Sequence, residues 1–139
     1  MAPENQQTDA SDAQPKTDVF ISYSAHDRDK AAMMADALTK AGLNVWWDRA
    51  LLPGDSYEGS IEVALKEAKA VVVCWTQSAV ESDWVRSEAD DARVHRKLCP
   101  VFMEECQLPK PFDRIHTENL IGWRGNRDHH AYQELEEAI

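Results

Sequence analysis

The run Ala70-Val71-Val72-Val73-Cys74-Trp75 constrains this chain more than any other segment. Valine dominates it, and β-branched side chains suit a pleated, packed surface. A strand with one wet face alternates apolar and polar residues, and this run does not alternate. Both of its faces must therefore be covered, as they are in a parallel sheet with helices on either side.

The flanking sequence supplies the other elements. Val19-Phe20-Ile21-Ser22-Tyr23 reads as a buried strand, and Ala31, Met34, Ala35 and Leu38 then form one apolar helix stripe. Gly42 is a natural helix stop before a second strand over Leu43–Trp47. The segment Asp48 to Ser56, with Pro53-Gly54-Asp55 inside it, is a turn-rich loop, and Ile61, Ala64, Leu65 and Ala68 give a second helix stripe. After the third strand, a helix is predicted over Asp83–Lys97 with Ser82 or Asp83 as its N-cap. Leu98–Met103 reads as a fourth strand, whose Pro100 places its first part outside the central ladder. A fifth strand is expected over Asn119–Trp123, and a last helix from Asp128 onward. Five strands separated by helices imply right-handed crossovers and an α/β, flavodoxin-like three-layer sandwich around a five-stranded parallel sheet. Ligands of such sheets sit beyond the strand C-termini. That puts Ser22–Arg28, Asp48–Ser56, Thr76–Asp83 and Trp123–Asp128 at the functional edge.

With 139 residues, 43% of them hydrophobic, the chain is sized for one domain, expected over residues 18–139. Residues 1–17 are polar and aperiodic, the composition of a disordered leader. Tyr132, Leu135 and Ile139 keep helical spacing to the last residue, so the domain is expected to be one module of a longer multidomain protein. The net charge of −10 argues against nucleic acid as a partner, because phosphate neutralisation needs clustered Lys and Arg. The run Ala70–Trp75 is too short to cross a bilayer, and no signal-peptide pattern opens the chain. Cys74, Cys99 and Cys106 are odd in number and lack Cys-x-x-Cys spacing, which reads as a reduced, cytoplasmic protein.

Trp84-Val85-Arg86-Ser87-Glu88 places an indole and a carboxylate on one face of the third helix, at the functional edge. A carboxylate beside an aromatic wall suits sugar-bond cleavage through an oxocarbenium-like state. Commoner nucleotide chemistries lack their motifs. The first turn, Ser22-Tyr23-Ser24-Ala25-His26-Asp27, has no glycine for a dinucleotide fingerprint, and no P-loop is present. Cys74-Trp75 stands where a phospho-receiver would carry its acceptor Asp. His129-His130 have no ligand partner at metal spacing and read as helix-start residues.

Asp18-Val19-Phe20-Ile21-Ser22-Tyr23-Ser24 resembles the first signature of Toll/interleukin-1 receptor (TIR) domains. Val45-Trp46-Trp47-Asp48 followed by Leu52-Pro53-Gly54-Asp55-Ser56 is similar to the family's second strand and BB loop. Asp83–Glu88 resembles the third-helix opening of its NAD-cleaving members, and Ile121-Gly122-Trp123 with Arg127-Asp128-His129 the ending of bacterial ones. The resemblance implies the TIR fold and an NAD+ nucleosidase, with NAD+ as substrate, no cofactor and no metal. It makes Glu88 the catalytic residue, holding the nicotinamide-ribose hydroxyls and offsetting charge as the bond breaks. Trp84 then either walls the ribose or anchors its helix; Ser24, His26 and Arg28 border the nucleotide; one of Trp46 and Trp47 stacks on it; and Asp48 binds a ribose hydroxyl or begins the loop turn. The BB loop, with Leu52, Pro53, Gly54 and Asp55, is expected to join neighbouring domains, so that self-association completes the site in signalling or bacterial immunity. The rival expectation is a non-enzymatic adaptor acting through TIR–TIR contacts alone.

Overall fold

The alternation of apolar runs and helix stripes becomes a doubly wound α/β sheet in the computed structural model, which describes residues 16–47 and 57–139. The elements are β1 (Val19–Ser22), α1 (Arg28–Lys40), β2 (Val45–Trp46), α2 (Tyr57–Glu67), β3 (Ala70–Trp75), α3 (Gln77–Val80), α4 (Asp83–Val94), β4 (Leu98–Phe102), β5 (Glu118–Asn119) and α5 (His130–Ala138). All strand pairs are parallel, in the order β2-β1-β3-β4-β5. This is the flavodoxin-like order, which reverses between β1 and β3.

Strand alternation divides the core into two layers. Val19 and Ile21 of β1 and Val72 and Cys74 of β3 pack with Met34 and Leu38 of α1 and Tyr132 and Leu135 of α5. Phe20, Val71, Val73 and Trp75 face the other way, against Ile61 and Ala64 of α2 and Val85, Ala89 and Ala92 of α4. No residue of β3 is more than 3% exposed, because helices cover both faces of the central strand. None of the described helices is long and apolar enough to cross a membrane.

Helix ends follow local chemistry. Gly42, at φ +92°, stops α1 in a Schellman arrangement: Leu43 N–H reaches Leu38 O at 3.2 Å and Gly42 N–H reaches Thr39 O at 2.9 Å. Ser82 is the N-cap of α4, its Oγ accepting from Val85 N–H at 3.2 Å. The helix ends at Val94 rather than Lys97, with Arg96 at φ 60°. Lys97 turns away to donate to the carbonyls of Leu65 at 2.6 Å and Ala68 at 3.0 Å, capping the end of α2.

Strand boundaries moved where side chains took over from the ladder. β2 keeps two residues rather than five, since Asn44 N–H is taken by the Asp18 carboxylate at 2.8 Å, and Trp47 O by the Tyr23 hydroxyl. β5 sits at Glu118–Asn119, before the expected Asn119–Trp123, because the chain turns at once: Trp123 N–H reaches Leu120 O, and Gly122 lies at φ +82°. α5 begins at His130, with His129 as its N-cap. Pro100 lies inside β4 and pairs with Val73. Phe102 O faces β5, accepting from Leu120 N–H, so two-residue alternation aims the Pro100 nitrogen to the same side. The ladder to β5 begins only at Val101, so the missing N–H removes no bond.

Candidate functional site

Two carboxylates are buried among the described residues, Glu88 and Asp27. Val85, Glu88, Ala89 and Ala92 form the buried stripe of α4, the spacing of a core-facing helix surface. Glu88 thus occupies a core position and is 5% exposed. A carboxylate removed from water needs hydrogen-bond donors. Ser22, the last residue of β1, supplies one: its Oγ donates to Glu88 Oε1 at 2.7 Å. Ser22 pairs with Val73 of β3, so this bond lies where the strand order reverses, the crevice in which doubly wound sheets take their ligands.

The other expected residues distribute over both faces of that edge. Trp46 stacks flat on Phe20, with ring centroids 5.0 Å apart and planes at 9°, and packs with the α2–α4 layer that carries Glu88. Trp47 packs with the α1–α5 layer, 6.3 Å from the ring of Tyr23. The Arg28 guanidinium stands 4.9 Å over the Trp47 ring, a cation–π contact that draws it to the face opposite Glu88. Trp84, one turn before Glu88, lies outside the buried stripe and is 40% exposed. Ser24 is buried as the cap of a 3₁₀ turn over Ala25–Asp27, its Oγ accepting from His26 N–H at 3.4 Å, while the His26 side chain is exposed. Asp48, Leu52, Pro53, Gly54 and Asp55 lie outside the described residues.

The sequence reading passed over Ser22, although its signal was present. Alternation puts Ser22 on the side of Phe20, and a lone polar side chain in an apolar strand requires a buried partner. Asp27 and Thr76 were also missed. Thr76 Oγ1 donates to Asp27 Oδ2 at 2.5 Å, a contact across 49 residues that no local pattern reveals. Burial, with the Asp27 charge adding to it, pushes the Cys74 thiol up to about 12. His129 and His130 stand at the start of α5, with His130 Nε2 3.7 Å from Glu134. Glu88 and Ser22 form a carboxylate oriented by a hydroxyl where the strand order reverses, a group able to accept sugar hydroxyl hydrogens and to stabilise a cation.

Residues 19–136 match the family model of the TIR domain. The chain belongs to the TIR domain family. It is 29% identical over 98 residues to a 2′ cyclic ADP-D-ribose synthase, AbTIR, from Acinetobacter baumannii, covering 66% of this chain and 36% of that protein. It is 33% identical over 78 residues to the NAD(+) hydrolase PdTIR from Paracoccus denitrificans, covering 55% of this chain and 26% of that protein. The chain therefore spans about a third of the first relative and a quarter of the second. In structure it is similar to the TIR domain of the Toll-related receptor TRR-2 from Hydra magnipapillata, with a TM-score of 0.68 and 18% identity over 75% of this chain and 84% of that chain.

Proposed function

We propose that this TIR domain cleaves the bond between nicotinamide and ribose in NAD+, with Glu88 as the catalytic residue. The observation that carries the reading is the Glu88 carboxylate, held in a core position by Ser22 at the reversal of strand order. A helix that only packs has no use for a charge there. The names of the two bacterial relatives supply the substrate class.

Nicotinamide leaves NAD+ as a neutral group from a cationic ring, so its departure needs no strong acid. The glycosidic bond breaks with its electron pair going to the ring nitrogen, and positive charge spreads over C1′ and the ribose oxygen. Glu88 accepts the ribose hydroxyl hydrogens and faces that charge, which grows toward the transition state, where stabilisation raises rate. Water adding to C1′ and losing a proton gives ADP-ribose; an internal hydroxyl in the same role gives a cyclic isomer. Trp46, on the same sheet face, is the aromatic surface for the substrate, and Trp84 the outer wall beside it. Ser24 and His26 border the nucleotide from the first loop. Arg28 and Trp47, in cation–π contact, shape the opposite side of that loop. NAD+ is a substrate and no further cofactor takes part. The loop of Leu52 to Asp55 joins neighbouring domains, so that assembly in the cytoplasm switches cleavage on.

The test is NAD+ turnover by the assembled chain, with products separated by chromatography. Glu88→Gln is expected to lower turnover by about 10³-fold, in line with the loss of one preorganised electrostatic group, while the circular dichroism spectrum stays unchanged. Undiminished turnover by folded Glu88→Ala protein would refute the assignment.

A further inference from the structure

Asp27, the second buried carboxylate, ties the first loop to the sheet, and the chemistry above does not use it. It closes the 3₁₀ turn and is 7% exposed. Its Oδ2 accepts from Thr76 Oγ1 at 2.5 Å, and its Oδ1 lies 3.9 Å from Lys30 Nζ. Thr76 is fully buried directly after β3, and its hydroxyl also accepts from Ala79 N–H at 3.0 Å as the N-cap of α3. A hydroxyl has a single hydrogen. With the oxygen receiving Ala79 N–H, that hydrogen is available to Asp27.

The two ends of this bond are not equally anchored. On the Thr76 side, the turn is continuous with the central strand, is held by the cap, and is pinned by Glu104, whose Oε2 accepts from Gln77 N–H at 3.0 Å. On the Asp27 side, the turn's own bonds are short-range, from Asp27 N–H to Ser24 O at 2.8 Å and from His26 N–H to Ser24 Oγ at 3.4 Å. They lie between Tyr23, which is buried and donates to Trp47 O, and the start of α1. Cutting the bond therefore loosens the Ser24–Asp27 turn more than the turn after β3. That loop continues directly from Ser22, the donor to Glu88.

We infer that Asp27 and Thr76 are positioning residues for the dinucleotide site: their bond across the sheet edge fixes Tyr23–Asp27 so that this wall is formed before the substrate arrives. A preformed wall spares the substrate the cost of ordering it, and the effect falls on binding rather than on bond cleavage. The inference rests on the NAD+ reading.

Thr76→Val removes the Asp27 bond together with the cap on Ala79 N–H while keeping the shape, Thr76→Ser keeps the hydroxyl, and Asp27→Ala cuts the bond with the cap left intact. In the full chain, Thr76→Val is expected to raise KM for NAD+ about tenfold with kcat within about twofold, and Thr76→Ser to restore both. Amide hydrogen exchange at Tyr23–Arg28 should speed up at least about tenfold in Thr76→Val while the amides of Val71–Trp75 keep their protection. Asp27→Ala, which removes the acceptor and leaves the Thr76 cap intact, should shift KM and exchange in the same direction, so the result stands even where one variant folds poorly. An unchanged KM, or unchanged exchange in the first loop, overturns the positioning role. Failure of the unsubstituted chain to cleave NAD+ is a separate result: it overturns the substrate reading, and the inference with it.

Discussion

Ser22 is the single polar side chain in β1, and its hydroxyl is spent on Glu88. A neutral donor to a buried carboxylate matters mostly through what its loss leaves behind, because a charge deprived of one of its donors keeps its desolvation cost. Ser22→Ala is therefore expected to cost about 1–3 kcal/mol of stability while Glu88 is present. In a Glu88→Ala background the same change should cost much less, because no carboxylate remains to receive the Ser22 hydrogen. Urea unfolding of the four proteins measures this coupling; additive effects would show that the two side chains do not depend on each other. Sequence reasoning found Glu88 through its place one turn after Trp84. It missed Ser22 because a lone polar side chain in an apolar strand signals a buried partner without saying which, and that partner lies 66 positions away.

Elements with strong local signals were legible in the sequence. The apolar run of β3 and the stripes of α1 and α2 fixed the layers, since each buries a face whose period is written in the chain. Legibility failed where single side chains decide an element's end. Thr76 starts the short helix α3, and Lys97 is drawn to the carbonyls of α2 instead of extending α4. The helix carrying Glu88 depends on the same kind of contact, because Ser82 is its N-cap and Arg86 ties its first turn to Val80 O at 2.6 Å and to the Asp83 carboxylate. Ser82→Ala is expected to cost about 1 kcal/mol, a fall of roughly 3–5 °C in melting temperature for a chain of this size. Thermal unfolding by circular dichroism reads it, and Ser82→Asp should recover most of the loss. An unchanged midpoint in Ser82→Ala would mean that packing of the buried stripe alone sets the start of α4.

At the scale of the whole molecule, the core holds protons that the unfolded chain releases. Burial raises the Cys74 thiol from 9.0 to about 12, and burial holds the Tyr132 phenol well above its usual 10.0. Both are acids whose folded value lies above the unfolded one. The folded state keeps its protons as pH rises, while the unfolded state gives them up and gains free energy by doing so. Stability from these two groups is thus whole below pH 9.0, and Cys74 begins to withdraw its share as pH climbs from 9.0 toward about 12, with Tyr132 following above 10.0. Each group costs about 1.4 kcal/mol per pH unit in its window. Between about pH 8 and about pH 10.5, unfolding in urea should show a loss of roughly 2 kcal/mol that Cys74→Ala removes. Cys74→Ala leaves a small cavity and lowers stability at both pH values, so the informative quantity is the difference between them. An alkaline loss of the same size in Cys74→Ala would place the titrating group elsewhere, and Tyr132→Phe would then separate the phenol from the surface lysines.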